Sequence, residues 1–558
     1  MMLRNLFIIL LILSLPLTAG ADTDFWDDYP EEEQLSRLMA GMTDEQLLAQ
    51  MLLLGYMGGT PSIEILEWIS EKEIGGIKIF GWNVKNLPTL AGSISKMQKL
   101  SAETTFRIPL FIATDQEGGW VRHVRGETSE TAGNMSLGAS RRPDDALKTG
   151  YYIGMELRAL GVNMNFAPTV DVYSNPEAHV IGPRAFSDDP LLTAVLSTAF
   201  YKGMDSAGII CTAKHFPGHG DADKDSHGAL PIIDVDMDTL WERELLPYRY
   251  LIREGIPGIM SGHLAFPIIT GNNTPASISP LILTGILRDK LGFDGLIVTD
   301  DLMMNGVQLL SMNTAEICKA AIDAGVDIIL VSRTAEIQMQ VWDYLSEQLV
   351  KDQAFAATVR KSAERILRAK LKYLSKEDSV PLFPDIRELN SLIPTAEGQP
   401  FFLDQAYRST TVIREDSEKG LLPHGKILLA GQFDRFFDVG SKMFPDADTF
   451  KFDYSPFYTS SRNSRQRLKN TADDYDTIIY CLANPNSVQV LKEIEGTTAD
   501  VIVLSVLTPI YLKEMNWIKN AVAVYGTSRE SFQAGFAALS GTISPQGVLP
   551  LDFNREMR

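Results

Sequence analysis

Cysteine is nearly absent: Cys211, Cys318 and Cys481 are the only three in 558 residues, odd in number and far apart. That argues against a disulfide framework and for free, mostly structural thiols, with Cys211 and Cys318 in segments that read as buried. Positive charge is scarce as well. Lys and Arg number 51 against 71 Asp and Glu, for a net charge of −20. A nucleic-acid binder needs a basic footprint to neutralise phosphates, so a polyanionic partner is not expected. No glycine-rich phosphate loop is present, because "GTISPQG" (541–547) lacks both the Walker lysine and a dinucleotide G-x-G-x-x-G. There is no internal repeat beyond a strand–helix unit and no low-complexity tract.

What remains is the profile of a globular protein, 45% hydrophobic and 22% charged, long enough for two to four domains with a large barrel counting as one. Residues 1–21 stand apart. They carry one positive charge at Arg4, an apolar run from Leu6 to about Leu17 and a small-residue exit at Ala19-Gly20-Ala21. That pattern is a secretory signal too short to span a bilayer, so a secreted or periplasmic protein without stable membrane insertion is expected. An uncleaved anchor is the alternative. No cysteine follows the apolar run, so a lipoprotein is not indicated.

Eight apolar, β-rich runs then recur with helical stretches between them: 50–56, 75–81, 109–115, 163–169, 208–214, 258–264, 295–301 and 326–332. Continuous apolar runs suit strands buried on both faces, and alternation with helices implies a parallel sheet. Eight units read as a (β/α)₈ barrel of the TIM type over 22–375, closed by the helix 354–374. Polar residues gather at the carboxyl ends of the runs, at Asp115, Lys214, His215, Ser261, His263 and Asp300, where barrel active sites lie. The stretch 376–400 has the proline and charge content of a linker. Four further runs, 426–431, 476–483, 500–507 and 521–527, predict a smaller αβα sandwich domain over 401–558.

The segment "KHFPGHGDADKDSHG" (214–228) concentrates three of the seven histidines and three aspartates on one loop. An EF-hand reading fails, since Ser226 stands where the loop glycine belongs and Ile232 where the final Glu belongs. Zinc would need three or four convergent ligands, and neither H-E-x-x-H nor C-x-x-C accompanies the loop, so no metal or cofactor is expected. Asp221 and Asp223 read as turn caps. Asp225 and His227, one residue apart, can pair so that the carboxylate fixes the imidazole tautomer and raises its pKa, making a proton donor near neutral pH. A second group on the same rim comes from "TDD" (299–301). An acid facing a fixed carboxylate across a barrel mouth suits an oxocarbenium-like transition state. Capping of the following helix is the competing role for Asp300 and Asp301, and one can cap while the other attacks.

"KHFPGHGDADKDSHGALP" resembles the K-H-F-P-G-H-G-D-(x)n-D-S-H-x-x-L-P signature of glycoside hydrolase family 3 enzymes of the β-N-acetylglucosaminidase type. "ATDQEGGWVRH" (113–123), "NFAPTVDVYSNPEAHVIGPRAFSDDP" (165–190), "IMSGHLAFP" (259–267) and "GLIVTDDLMMNGV" (295–307) extend the resemblance over roughly 35 to 375, and 523–553 resembles the end of the family's sandwich domain. The resemblance implies a retaining β-N-acetylhexosaminidase: Asp300 as nucleophile, His227 as acid/base, Asp225 as its dyad partner, and Asp115, Arg184, Lys214 and His215 as sugar contacts. The D-S-H triplet points to terminal non-reducing N-acetylglucosamine, on peptidoglycan fragments or chito-oligosaccharides. Phosphate as acceptor, or glucose or xylose as sugar, would use the same site. A non-catalytic sugar-binding role would predict loss of a catalytic group, and all three are present. Trp120 and His123 stand where the family commonly has arginines, with Arg122 beside them, so the leaving-group side is expected to differ.

Overall fold

The computed structural model describes residues 23–222, 228–308, 311–332, 334–453 and 462–554. Its first sheet contains all eight expected runs as short parallel strands: β1 (Leu52–Gly55), β2 (Gly76–Ile79), β3 (Phe111–Thr114), β4 (Met164–Asn165), β5 (Ile210–Phe216), β6 (Gly258–Ser261), β7 (Leu296–Thr299) and β8 (Ile329–Val331). From β1 to β7 each strand pairs with the next in sequence, and β8 pairs with β1. The Val298–Ile328 bridge joins β7 to the segment entering β8, so the sheet closes into a (β/α)₈ barrel. Every residue of these strands is buried, which is why the sequence runs are continuously apolar instead of alternating.

The long helix Gln353–Leu374 seals the amino-terminal end of the barrel. Its Lys370 is wholly buried and donates to Gln50 Oε1 at 2.7 Å and to the Gly75 carbonyl at 2.8 Å. After it, 376–397 runs back along the barrel, where Arg158 donates to the carbonyls of Asp378 and Ser379 and the Thr395 N–H bonds Glu156.

The second domain holds six strands: β9 (Thr411–Arg414), β10 (Ile427–Gly431), β11 (Asp448–Lys451), β12 (Thr477–Leu482), β13 (Asp500–Ser505) and β14 (Asn520–Ala523), in the order β9-β14-β13-β12-β10-β11. All neighbours are parallel except β9, which runs antiparallel to β14. Two apolar clusters lie on opposite faces of this sheet, giving the αβα sandwich. A third, with Met135, Ala139, Tyr173 and Ile181 from the barrel and Ala523, Tyr525 and Leu551 from the sandwich, glues the domains together. All three cysteines are free and buried. Among the described residues no helix is long and apolar enough to cross a membrane.

Candidate active site

The candidate residues converge on the carboxyl-terminal rim of the barrel. Asp115 directly follows β3, Lys214 and His215 lie in β5, and Asp300 directly follows β7. Asp115 is gripped by two buried lysines, Lys78 from β2 on Oδ2 and Lys214 on Oδ1. Against the upward push of burial, Lys214, Lys78 and His123 hold its carboxyl well below the usual range. Lys214 also reaches Glu117 at 2.7 Å, and Arg184 bonds the same carboxylate through two parallel contacts of 2.9 and 2.8 Å. Burial resists ionisation of Glu117, yet Arg184 and Lys214 bring its pKa down to about 2. Lys78, Lys214 and Arg184 therefore meet Asp115 and Glu117 in one alternating, desolvated network, which has the donors and acceptors to fix several sugar hydroxyls at once.

His215 is aimed by a second carboxylate. Its Nδ1–H donates to Asp171 Oδ2 at 2.7 Å, and Nε2 accepts from Arg184 Nη2 at 3.3 Å, which fixes the tautomer, since Arg184 only donates. Asp171 also accepts the backbone N–H groups of His215 (3.1 Å) and His219 (2.7 Å), so it straps the start of the histidine-rich loop to the rim. Burial opposes its charge, but His215 and His219 hold it at about 2. The loop passes close over the rim at Gly220, where a Cβ would stand 1.7 Å from the Val172 carbonyl oxygen. Only glycine fits there.

The aspartate pair at the end of β7 divides its labour. Asp301 spends both oxygens on structure, with the Ser332 hydroxyl on Oδ2 and the N–H groups of Met303 (3.1 Å) and Ser332 (3.3 Å) on Oδ1. Burial and the neighbouring Asp300 charge push its pKa up. Asp300 has its N–H anchored on the Ser261 carbonyl at 3.0 Å, and among the described residues its Oδ1 accepts only the Asp301 N–H, at 2.8 Å. Burial would raise its pKa, but His263, His215 and the Asp301 N–H outweigh that and keep it below the usual carboxylate range. An ionised, part-exposed carboxylate with lone pairs to spare is a competent nucleophile. His263 is buried and braces the turn, donating from Nε2 to the Asp301 carbonyl at 3.0 Å while Nδ1 accepts from Ser277 at 2.8 Å.

Asp225 and His227, with Asp223, lie outside the described residues. Asp221 pairs with Arg243 at 2.7 Å, and the residues that follow Ala222, on which its turn-cap expectation bears, lie outside the described residues. Of the residues that differ from the family's first loop, His123 lies 3.7 Å from Asp115 and Trp120 is 43% exposed on the hairpin after β3. Arg122 is committed to Glu130 at 2.5 Å. Three members of the site escaped the sequence reading: Lys78, Glu117 and Asp171. Lys78 had a signal, being the one charge inside the apolar run "GGIKIFG", while Glu117 and Asp171 lay within "ATDQEGG" and "PTVDV" without a spacing to mark them. Among the described residues no three His, Cys, Asp or Glu side chains converge as a metal site.

Comparison with known proteins matches residues 42–369 to the glycosyl hydrolase family 3 N-terminal domain. Beta-hexosaminidase A of Pseudoalteromonas piscicida is 34% identical over 381 residues, 64% of this chain and 62% of that protein, so the chain spans less than two thirds of that relative. A beta-hexosaminidase of Aromatoleum aromaticum is 33% identical over 301 residues, 52% of this chain and 82% of its own length. Among solved structures, a glycoside hydrolase family 3 beta-N-acetylglucosaminidase from a Paenibacillus species superposes with a TM-score of 0.83 at 27% identity, covering 92% of this chain and 99% of that one.

Proposed function

The chain belongs to glycosyl hydrolase family 3, and on that premise we propose that it is an exported, retaining β-N-acetylglucosaminidase that removes terminal non-reducing N-acetylglucosamine from peptidoglycan fragments or chito-oligosaccharides. The reading rests on one observation above all: among the described residues the Asp300 carboxylate at the barrel mouth accepts a single N–H, while Asp301 beside it is tied into the turn through both oxygens. In this reading Asp300 attacks the anomeric carbon and the glycosidic oxygen leaves with a proton from His227. A covalent glycosyl-aspartate forms, and water cleaves it with the proton returning to His227, balanced by Asp225. Asp115, Arg184, Lys214 and His215 hold the sugar hydroxyls, each charge-assisted bond worth roughly 1.5–3 kcal/mol. The D-S-H triplet at 225–227 supports N-acetylglucosamine over glucose, and the apolar leader ending in Ala19-Gly20-Ala21 supports export.

The test is to offer the purified protein 4-nitrophenyl β-N-acetylglucosaminide and the corresponding glucoside, with and without phosphate, and to follow phenol and sugar together. Release from the N-acetyl substrate alone, with free sugar as product, is the expected result. A sugar 1-phosphate would move the protein to the phosphorylases. Cleavage of the glucoside alone would overturn the sugar assignment.

A further inference from the structure

A buried carboxyl sits under the arm of the histidine-rich loop and takes no part in the chemistry above. Glu244 ends the π-helical turn Leu240–Glu244, which continues as the helix Leu245–Arg253. It is 1% exposed; Oε1 accepts from Arg243 Nε at 2.6 Å, and Oε2 has no hydrogen-bond partner among the described residues. An anion so buried with one oxygen unsatisfied is costly. Burial, opposed by Arg243 and helped by the charges of Asp221 and Asp171, lifts the Glu244 pKa to about 7.

The geometry ties this group to the loop. At Gly218, with φ of +150°, a Cβ would stand 2.7 Å from Glu244 Oε2 and 2.8 Å from its Cβ, so the loop crosses the glutamate at glycine distance. Three residues on, Asp221 Oδ2 accepts from Arg243 Nη2 at 2.7 Å. From the other side Asp171 holds the N–H groups of His215 and His219. The arm is thus clamped between Asp171 and the Arg243–Glu244 pair. Among the described residues Tyr248 on the helix also acts on Glu244, its buried hydroxyl likewise without a partner there, while His215 and His219 face Asp171.

We propose that Glu244 is a positioning residue for the acid/base loop: while its carboxyl keeps its proton the Gly218–Asp221 arm is seated, and loss of that proton to solvent loosens the seat. Arg243 serves both carboxylates through different nitrogens, so ionised Glu244 acts by repelling Asp221 and Asp171 across a dry contact. The consequence for catalysis rests on the glycosidase reading, whereas the clamp itself does not.

Amide hydrogen exchange of the full-length protein from pH 5.5 to 8.5, corrected for intrinsic rates, tests it without substrate. The His219 and Ala222 amides, bonded to Asp171 and to the His219 carbonyl, report the arm. Opening releases the proton at pH values between the ordinary carboxyl pKa and the raised one, so their protection should fall as pH rises toward 7, by up to about tenfold per pH unit, the limit for one coupled proton, and level off above it. In Glu244→Gln, which keeps shape and loses the charge, protection should stay at the low-pH wild-type level throughout. Flat protection in the wild type, or the same fall in wild type and Glu244→Gln, would overturn the proposal. The wild-type curve decides even where the variant fails to fold. An inactive protein with the predicted exchange pattern would remove the glycosidase reading and leave the clamp standing.

Discussion

Asp300 and Asp301 are chemically identical and adjacent, so nothing in "TDD" separates a nucleophile from a cap. Their surroundings differ: two N–H groups and a hydroxyl bond Asp301, while among the described residues the Asp300 carboxylate accepts one N–H. Of the candidate residues that a motif marked, Asp115, Arg184, Lys214, His215 and Asp300 lie together at the rim, Asp225 and His227 lie outside the described residues, and the charge partners had no motif to mark them. Glu117 and Asp171 act by compensating Arg184, Lys214 and His215, and a compensating carboxylate needs only proximity, which any acidic residue of the fold could supply. The depressed pKa of Asp300 has a measurable consequence. Its carboxylate is favoured in the folded protein, so for an activated aryl substrate, which needs little proton donation, kcat/KM should hold level down to below about pH 4, the ordinary aspartate value. Asp300→Asn should abolish turnover at every pH with a native melting temperature. An acid limb above pH 5 with the aryl substrate would assign ionisation to another group.

Strands buried on both faces announce themselves, and strands at a sheet edge do not. All eight barrel runs and four sandwich runs carry unbroken apolar stretches, and all twelve are strands. The two that escaped notice, β9 and β11, lie at opposite edges of the second sheet, where "TVIR" is half-exposed and "DTFK" buries only Phe450. The helix 353–374 was legible from its periodicity, but not the fate of Lys370, which looks like any basic residue on an amphipathic helix. Burial drives its pKa well below the usual lysine value, and its partners, Gln50 Oε1 and the Gly75 carbonyl, carry no charge to oppose that. The folded state therefore holds this lysine with fewer protons than the unfolded chain does. Stability from this position is complete only above the unfolded pKa of about 10.4 and is lost as pH falls through the lowered folded value. Lys370→Met removes the titration and leaves two buried acceptors without a donor. The wild type's advantage over Lys370→Met in denaturant melts should grow with pH across that window, by at most about 1.4 kcal/mol per pH unit. A difference that shrinks with pH would mean the lysine stays charged when buried.

At the scale of the molecule, the barrel and sandwich meet through contacts that no local pattern could reveal, since the partners lie hundreds of residues apart. Ser187 Oγ donates to the Pro550 carbonyl at 2.6 Å, the Asp552 N–H to Asp188 at 2.7 Å and the Val548 N–H to the Ala139 carbonyl at 2.9 Å, so the chain from 548 to 552 is laced onto the barrel. One ionic contact joins the domains beside the site. Glu130 bonds Arg122, on the hairpin that follows Asp115, and also Arg435, on the sandwich helix Asp434–Met443. Burial would raise the Glu130 pKa, but Arg435 and Arg122 hold it below the usual range, so the folded state binds its proton less tightly than the unfolded chain. Its stabilising effect is present above the ordinary carboxylate pKa and is lost as pH falls through the lowered one. A double-mutant cycle of Glu130→Gln and Arg435→Gln should therefore show a coupling of about 1 kcal/mol at pH 7, modest because Arg435 is 44% exposed, and none once Glu130 is protonated in acid, below the ordinary carboxylate range. If the coupling is ionic it will also weaken in salt. Additive effects at pH 7 would show that the apolar cluster and the lacing strand hold the domains together without the glutamate, and would leave Glu130 the narrower task of orienting Arg122 on the active-site hairpin.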